Sequence, residues 1–168
     1  MLVFDATALI YLAKVGKIQL IENIRAKKII PRSVFEEVVV KGKEAGKTDA
    51  LMVERLIEQG IFQVSEVEET AVYRVLAKNK KLSTADVEVL ALAKDEDGVA
   101  IVDEDYARWV AEVEDINCGG TIYLIFLLLK GCVITKREAR EIVDGIIEKG
   151  WFCSTELYAG ILRRLEEG

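Results

Sequence analysis

Four short runs constrain this chain more than any other feature: LVF before Asp5, KKIIP around residues 27 to 31, IFQV at 61 to 64, and VAIV at 99 to 102. Each is apolar on both faces, whereas a strand with one wet face alternates apolar and polar residues. Such strands need cover on both sides. The intervening sequence supplies it, with helical periodicity over residues 8–15, 18–24, 34–40, 49–59, 67–78, 85–94 and 106–113, and a turn-rich KGKEAGK after the third of these. A weaker fifth strand is expected near residues 113–117. Strand and helix alternate for the first two thirds, which predicts an α/β protein with a parallel sheet of four to five strands covered on both faces. Helices then take over. CGGTIYLIFLLL, residues 118–129, reads as a fully buried helix, and two amphipathic helices are expected from Thr135 and Ser154.

With 168 residues, half of them apolar, one proline and no Gly/Ser-rich linker, a single domain over 1–168 is expected. Lys130 closes the apolar run after about a dozen residues, short of the roughly 20 that a membrane helix needs. MLVFDATALIYLAK lacks a basic leading region and carries Asp5 early, so it reads poorly as a signal peptide. No membrane role is expected. Cys118, Cys132 and Cys153 form no CxxC pair, which suits a reduced, cytoplasmic chain with its cysteines as small core residues.

A net charge of -6 argues against coating nucleic acid through global electrostatics. The local basic runs are Arg25, Lys27, Lys28 and Arg32; Lys41, Lys43 and Lys47; and Lys78, Lys80 and Lys81. They read first as solvated faces. There is no histidine, which removes Ser-His-Asp and Cys-His mechanisms and any His-ligated zinc. Chemistry is left to oxygen ligands, lysine or cysteine.

In an open parallel sheet, ligands bind at the carboxyl ends of the strands. Asp5 directly follows the first strand, and Asp103, Glu104 and Asp105 directly follow VAIV. Glu36 and Glu37 in PRSVFEEVV, and Asp86 and Glu88 in LSTADVEVLALA, open helices at the same stage of the pattern. Ser33 with Glu36, and Ser83 with Asp86, also fit capping boxes. Glu37 is spare in the first box, about 100° around the helix from Glu36. Converging carboxylates raise one another's pKa unless a cation neutralises them, and Mg2+ or Mn2+ suits an all-oxygen site. Such ions activate water for in-line attack on phosphorus, so phosphodiester hydrolysis is the favoured reaction class. Among the three successive acids, Asp103 is the expected ligand, Glu104 a second ligand or water-holder, and Asp105 the N-cap of the helix from Tyr106.

From FDATALIYLAK through PRSVFEEVV and LSTADVEVLALA to IVDEDYARWVA, and on from CGGTIYLI to STELYAGILRRL, the chain resembles the PIN-domain family of small metal-dependent ribonucleases. The C-terminal part is similar to a prokaryotic branch described as predicted nucleic-acid-binding proteins. The resemblance implies an α/β/α sandwich. It also implies Asp5 and Asp103 as metal ligands, Glu37 and Asp86 as the other two acids, and Thr7 holding Asp5 or a metal water. Val102 stands where relatives usually carry a hydroxyl residue. The expectation is a Mg2+ or Mn2+ endoribonuclease acting on RNA. Two alternatives stay open: a PIN-like module that holds RNA or protein without turnover, and the toxin half of a toxin-antitoxin pair with an antitoxin-like partner. The C-terminal helices are compatible with a homodimer and equally with core packing.

Overall fold

A computed structural model describes residues 1–167. Its centre is a five-stranded parallel sheet in the order β3-β2-β1-β4-β5. The strands are β1 Leu2–Phe4, β2 Lys28–Pro31, β3 Gln63–Ser65, β4 Val99–Ile101 and β5 Cys118–Gly119. Helix α1 (Ala6–Lys14) and a 3-10 turn (Ile18–Asn23) join β1 to β2. After β2 the chain coils from α2 (Arg32–Phe35) through a π turn (Glu36–Val40) into α3 (Lys41–Glu44), then forms α4 (Thr48–Glu58). Helices α5 (Ala71–Ala77) and α6 (Thr84–Asp95) lead to β4, and α7 (Asp105–Val113) leads to β5. Three helices close the chain: α8 (Thr121–Lys130), α9 (Lys136–Glu148) and α10 (Thr155–Glu167).

Crossovers between parallel strands are right-handed, so the direction of travel decides which face a helix covers. From β1 to β2 to β3 the chain steps one way, placing α1 and α4 on one face, where they pack together. The return from β3 to β4 places α6 on the other face, across β1, β2 and β4. Helices α8 and α9 both touch α1. The result is the three-layer α/β/α arrangement with a helical C-terminal part.

Burial explains why β1, β2 and β4 read as apolar; β3 corrects the expectation for IFQV, since this edge strand starts at the exposed Gln63 and its Val64 and Ser65 are only half-buried. Val3, Phe4, Ile30, Ala100 and Ile101 are at most 1% exposed. Phe4 meets Phe62 edge-on at 5.2 Å, and each such buried ring contributes about 1.5–3 kcal/mol over an exposed one. Strand order reverses between β1 and β4, whose register pairs Phe4 with Ile101. This switch point opens a crevice at the carboxyl ends of those two strands.

Several expectations need correction. The fifth strand lies at 118–119 because α7 runs to Val113 and Asp115 turns the chain with φ of 52°. KGKE is helical, not turn, and residues 67–70 precede α5, whose first turn Thr70 caps by accepting from the Tyr73 amide at 3.2 Å. Helix α8 is buried on one side only, with Tyr123 and Phe126 half-buried. Cys132 is exposed, not a core residue, whereas Cys118 and Cys153 are half-buried and pack against the margin of the core. Lys28 is no solvated face: its ammonium donates to the carbonyls of Ile24 and Ala26 at 2.7 and 2.9 Å, and burial lowers its pKa. Among the described residues no helix is long and apolar enough to cross a membrane.

Candidate active site

Asp5 leaves β1 at the switch point, and its amide donates to the Ile101 carbonyl on β4 at 3.0 Å. It sits in the extended conformation of a helix N-cap, yet its side chain closes no capping bond to α1. Aspartate is a favoured cap, so a carboxylate that does not cap here is left for another use. Its pKa is pushed from the ordinary 3.8 up to about 7. Burial is the main cause; the Ala6 N–H pulls the other way, and the charges of Asp86, Glu37 and Asp103 each add to the rise. The four acids expected from sequence thus share one electrostatic environment. None forms an ion pair with lysine or arginine among the described residues.

Asp103, two residues beyond β4, is held on both oxygens. The Thr121 amide donates to Oδ1 at 2.8 Å, its hydroxyl to Oδ2 at 2.5 Å, and Trp151 Nε1–H to Oδ2 at 3.3 Å. Thr121 is fully buried, so this anchor is shielded from water. Gly120 is required beside it, since a Cβ there would collide with Asp103 Oδ1. Gly150, with φ of 104°, ends α9 and turns Trp151 back toward the site. Neither Thr121 nor Trp151 stood out as a site residue in the sequence. The paired glycines before Thr121 were the available signal, because small residues in series mark close backbone approach.

Asp86 lies in the first turn of α6 and completes a reciprocal box: Ser83 N–H donates to its Oδ2 at 2.8 Å, and its own amide donates to Ser83 Oγ at 3.1 Å. One carboxylate oxygen is thereby used. The Ser33–Glu36 box is not formed. Ser33 instead gives both its amide, at 3.1 Å, and its hydroxyl to Glu88 on α6. Glu88 therefore locks α2, which runs on into the π turn carrying Glu37, to α6, which carries Asp86. Glu36 and Glu37 are both exposed on the π turn. Glu104, not Asp105, caps α7, accepting from the Ala107 amide at 2.8 Å, and Asp105 is the exposed first helical residue. Thr7 lines the neighbouring cleft, and no hydrogen bond joins it to Asp5 among the described residues. Val102 is buried, and its carbonyl accepts from Arg108 at 3.1 Å.

The family model described as PIN domain matches residues 1–167. The chain belongs to the PIN-domain family. A search of the curated proteins finds no match. The PIN domain is a nuclease-type fold associated with nucleic acid, and PIN domains generally use divalent metals.

The residues present fit such an ion in one particular way. Among the described residues no group of three acidic or cysteine side chains is placed to hold one ion directly. The uncompensated carboxylates around Asp5 instead suit a cation that keeps several of its waters, as Mg2+ does, in place of an all-protein cage.

Proposed function

We propose that this PIN domain is a Mg2+- or Mn2+-dependent endoribonuclease that hydrolyses phosphodiester bonds of RNA. The observation that carries the reading is Asp5. It is a half-buried carboxylate at the topological switch point that closes no side-chain cap, pairs with no lysine or arginine among the described residues, and has three further acids around it. Asp5 would hold the ion directly, with Asp86, Glu37 and Asp103 acting on its waters. The chemistry such an ion supplies when bound is activation of water and neutralisation of phosphate charge. Asp103 is pre-set by Thr121 and Trp151, so its carboxylate need not reorient during turnover. Asp86 keeps Oδ1 for the site while Oδ2 caps α6. Glu104 supports the reading only as the cap that fixes the start of α7 behind Asp103.

The test is cleavage of end-labelled single-stranded RNA with Mn2+. Wild-type protein should cut and Asp5→Asn should not; absence of cleavage under broad conditions, or cleavage unchanged in the variant, refutes the reading. A second reading, a module that binds RNA or a protein partner without turnover, is favoured by Val102 and by the absence of a ready-made direct ligand set among the described residues. Calorimetry with Mn2+ separates the two, since that module should give no saturable heat. A toxin role with an antitoxin-like partner would require a partner chain that co-purifies and blocks cleavage.

A further inference from the structure

Beside the acids lies a cleft of about 890 Å3, lined in part by residues that do not hold them. Tyr11, Tyr123, Trp151 and Phe152 all line it. Phe152 is 83% exposed, in contrast to Trp151 at 7%. Tyr123 lies against Gly119, where a Cβ would come within 2.5 Å of the ring, so the glycine lets an aromatic ring rest on the edge strand. Arg108 and Arg164 line the same cleft, and neither forms an ion pair among the described residues. Arg164 is braced on the Phe126 ring at 4.2 Å, and Arg108 on the Val102 carbonyl. Asp103 belongs to both the cleft and the acidic cluster, so the two are continuous.

One exposed ring, Phe152, with the half-buried Tyr123 and two arginines outside any ion pair among the described residues, matches the chemistry of an unstacked base with its backbone phosphates. We propose that the cleft is a nucleotide subsite for single-stranded nucleic acid, taking one base against Phe152 and Tyr123 and the flanking phosphates on Arg108 and Arg164. This deepens the nuclease reading and rests on it for the fate of the neighbouring phosphodiester, although binding itself needs no turnover. A duplex keeps its bases stacked and offers no face to Phe152. Glu104 and Asp105 also line the cleft, so charge alone does not grip the strand and stacking must supply most of the affinity. Two phosphate contacts to a single strand give a shallow salt dependence, with log Kd rising about 1.4 per tenfold increase in salt.

The experiment is fluorescence anisotropy with a labelled octaribonucleotide, in EDTA so that no strand is cut. Phe152→Ala and Phe152→Leu should each weaken binding roughly tenfold, whereas Phe152→Trp should restore it. Arg164→Gln should halve the salt slope, and a duplex of the same sequence should bind no better than Phe152→Ala. Phe152 is exposed, so these variants keep the fold, which near-ultraviolet circular dichroism checks. Wild-type affinity in Phe152→Leu, equal binding of duplex, or a change of sedimentation coefficient in that variant would overturn the proposal; the last would assign the patch to a second copy. The nuclease reading fails separately. Loss of octamer binding in Phe152→Leu without any Mn2+-dependent cutting by the wild type leaves the subsite standing alone. Cutting with KM unchanged in that variant leaves only the nuclease.

Discussion

Replacing Asp5 by asparagine should stabilise this protein in metal-free buffer, and by an amount that depends on pH in a defined direction. In the unfolded chain Asp5 loses its proton near 3.8, whereas in the fold it holds it up to about 7. Between those values the unfolded state binds fewer protons, so stability falls as pH rises, by about 1.4 kcal/mol per unit at most. The full interval corresponds to about 4 kcal/mol. Asp5 retains some solvent access, which screens part of this, and about 2–4 kcal/mol is the expected difference. The asparagine side chain has the same shape and no charge. The gain in stability of the variant over wild type should therefore be near zero at pH 4, grow through pH 5 to 7, and level off above it. With a urea m-value of about 2 kcal/mol/M, the midpoint at pH 8 in EDTA should rise by about 1–2 M. Mn2+ should close the gap by stabilising wild type alone. A difference that is flat across pH, or a variant less stable at pH 8, would refute the argument that burial and three neighbouring carboxylates strain this residue.

Further outcomes follow from the anchors around the site. Thr121→Val removes the buried hydroxyl from Asp103 and should lower stability by about 1–3 kcal/mol in urea melts and RNA cleavage roughly 10–100-fold, with Thr121→Ser restoring most of both. Gly120→Ala drives a methyl into Asp103 Oδ1 and should cost about 1–3 kcal/mol and the cleavage activity, measured side by side. Glu104→Ala should cost about 1 kcal/mol through loss of the α7 cap, whereas Asp105→Ala should cost about half that or less; equal losses would return the cap to Asp105. Asp86→Asn keeps an acceptor for Ser83 and removes one charge beside Asp5, so the stability transition assigned to Asp5 should move below pH 7.

The sheet was legible because β1, β2 and β4 announce themselves as doubly apolar runs, a pattern that two-sided cover explains, whereas β3 was signalled by Ile61 and Phe62, which precede it, and the edge strand itself carries an exposed Gln63. The fifth was misplaced because Cys118 and Gly119 carry no β signal of their own: they are a strand only because β4 lies beside them. Asp5 and Asp103 could be paired from sequence through the strand-end rule, which depends on topology and not on local pattern. What pins Asp103 could not, since Thr121 and Trp151 come from 18 and 48 residues away. The capping assignments split for the same reason. Ser83 and Asp86 are neighbours on one helix and their box formed, but Ser33 had a rival acceptor in Glu88, 55 residues distant, that no local reading could weigh. Asp105 lost the cap to Glu104 because α7 begins one residue earlier than its apolar periodicity suggests.

Asp5 is the proposed seat of a divalent cation shared with the acids around it, and soaking crystals in Mn2+ and computing an anomalous difference map at a wavelength where manganese scatters would locate that ion. The expected result is a single strong site, or a close pair, against the Asp5 carboxylate at the carboxyl ends of β1 and β4, absent from crystals of Asp5→Asn. Manganese bound elsewhere, or no peak near Asp5 at concentrations that support RNA cleavage, would contradict that placement.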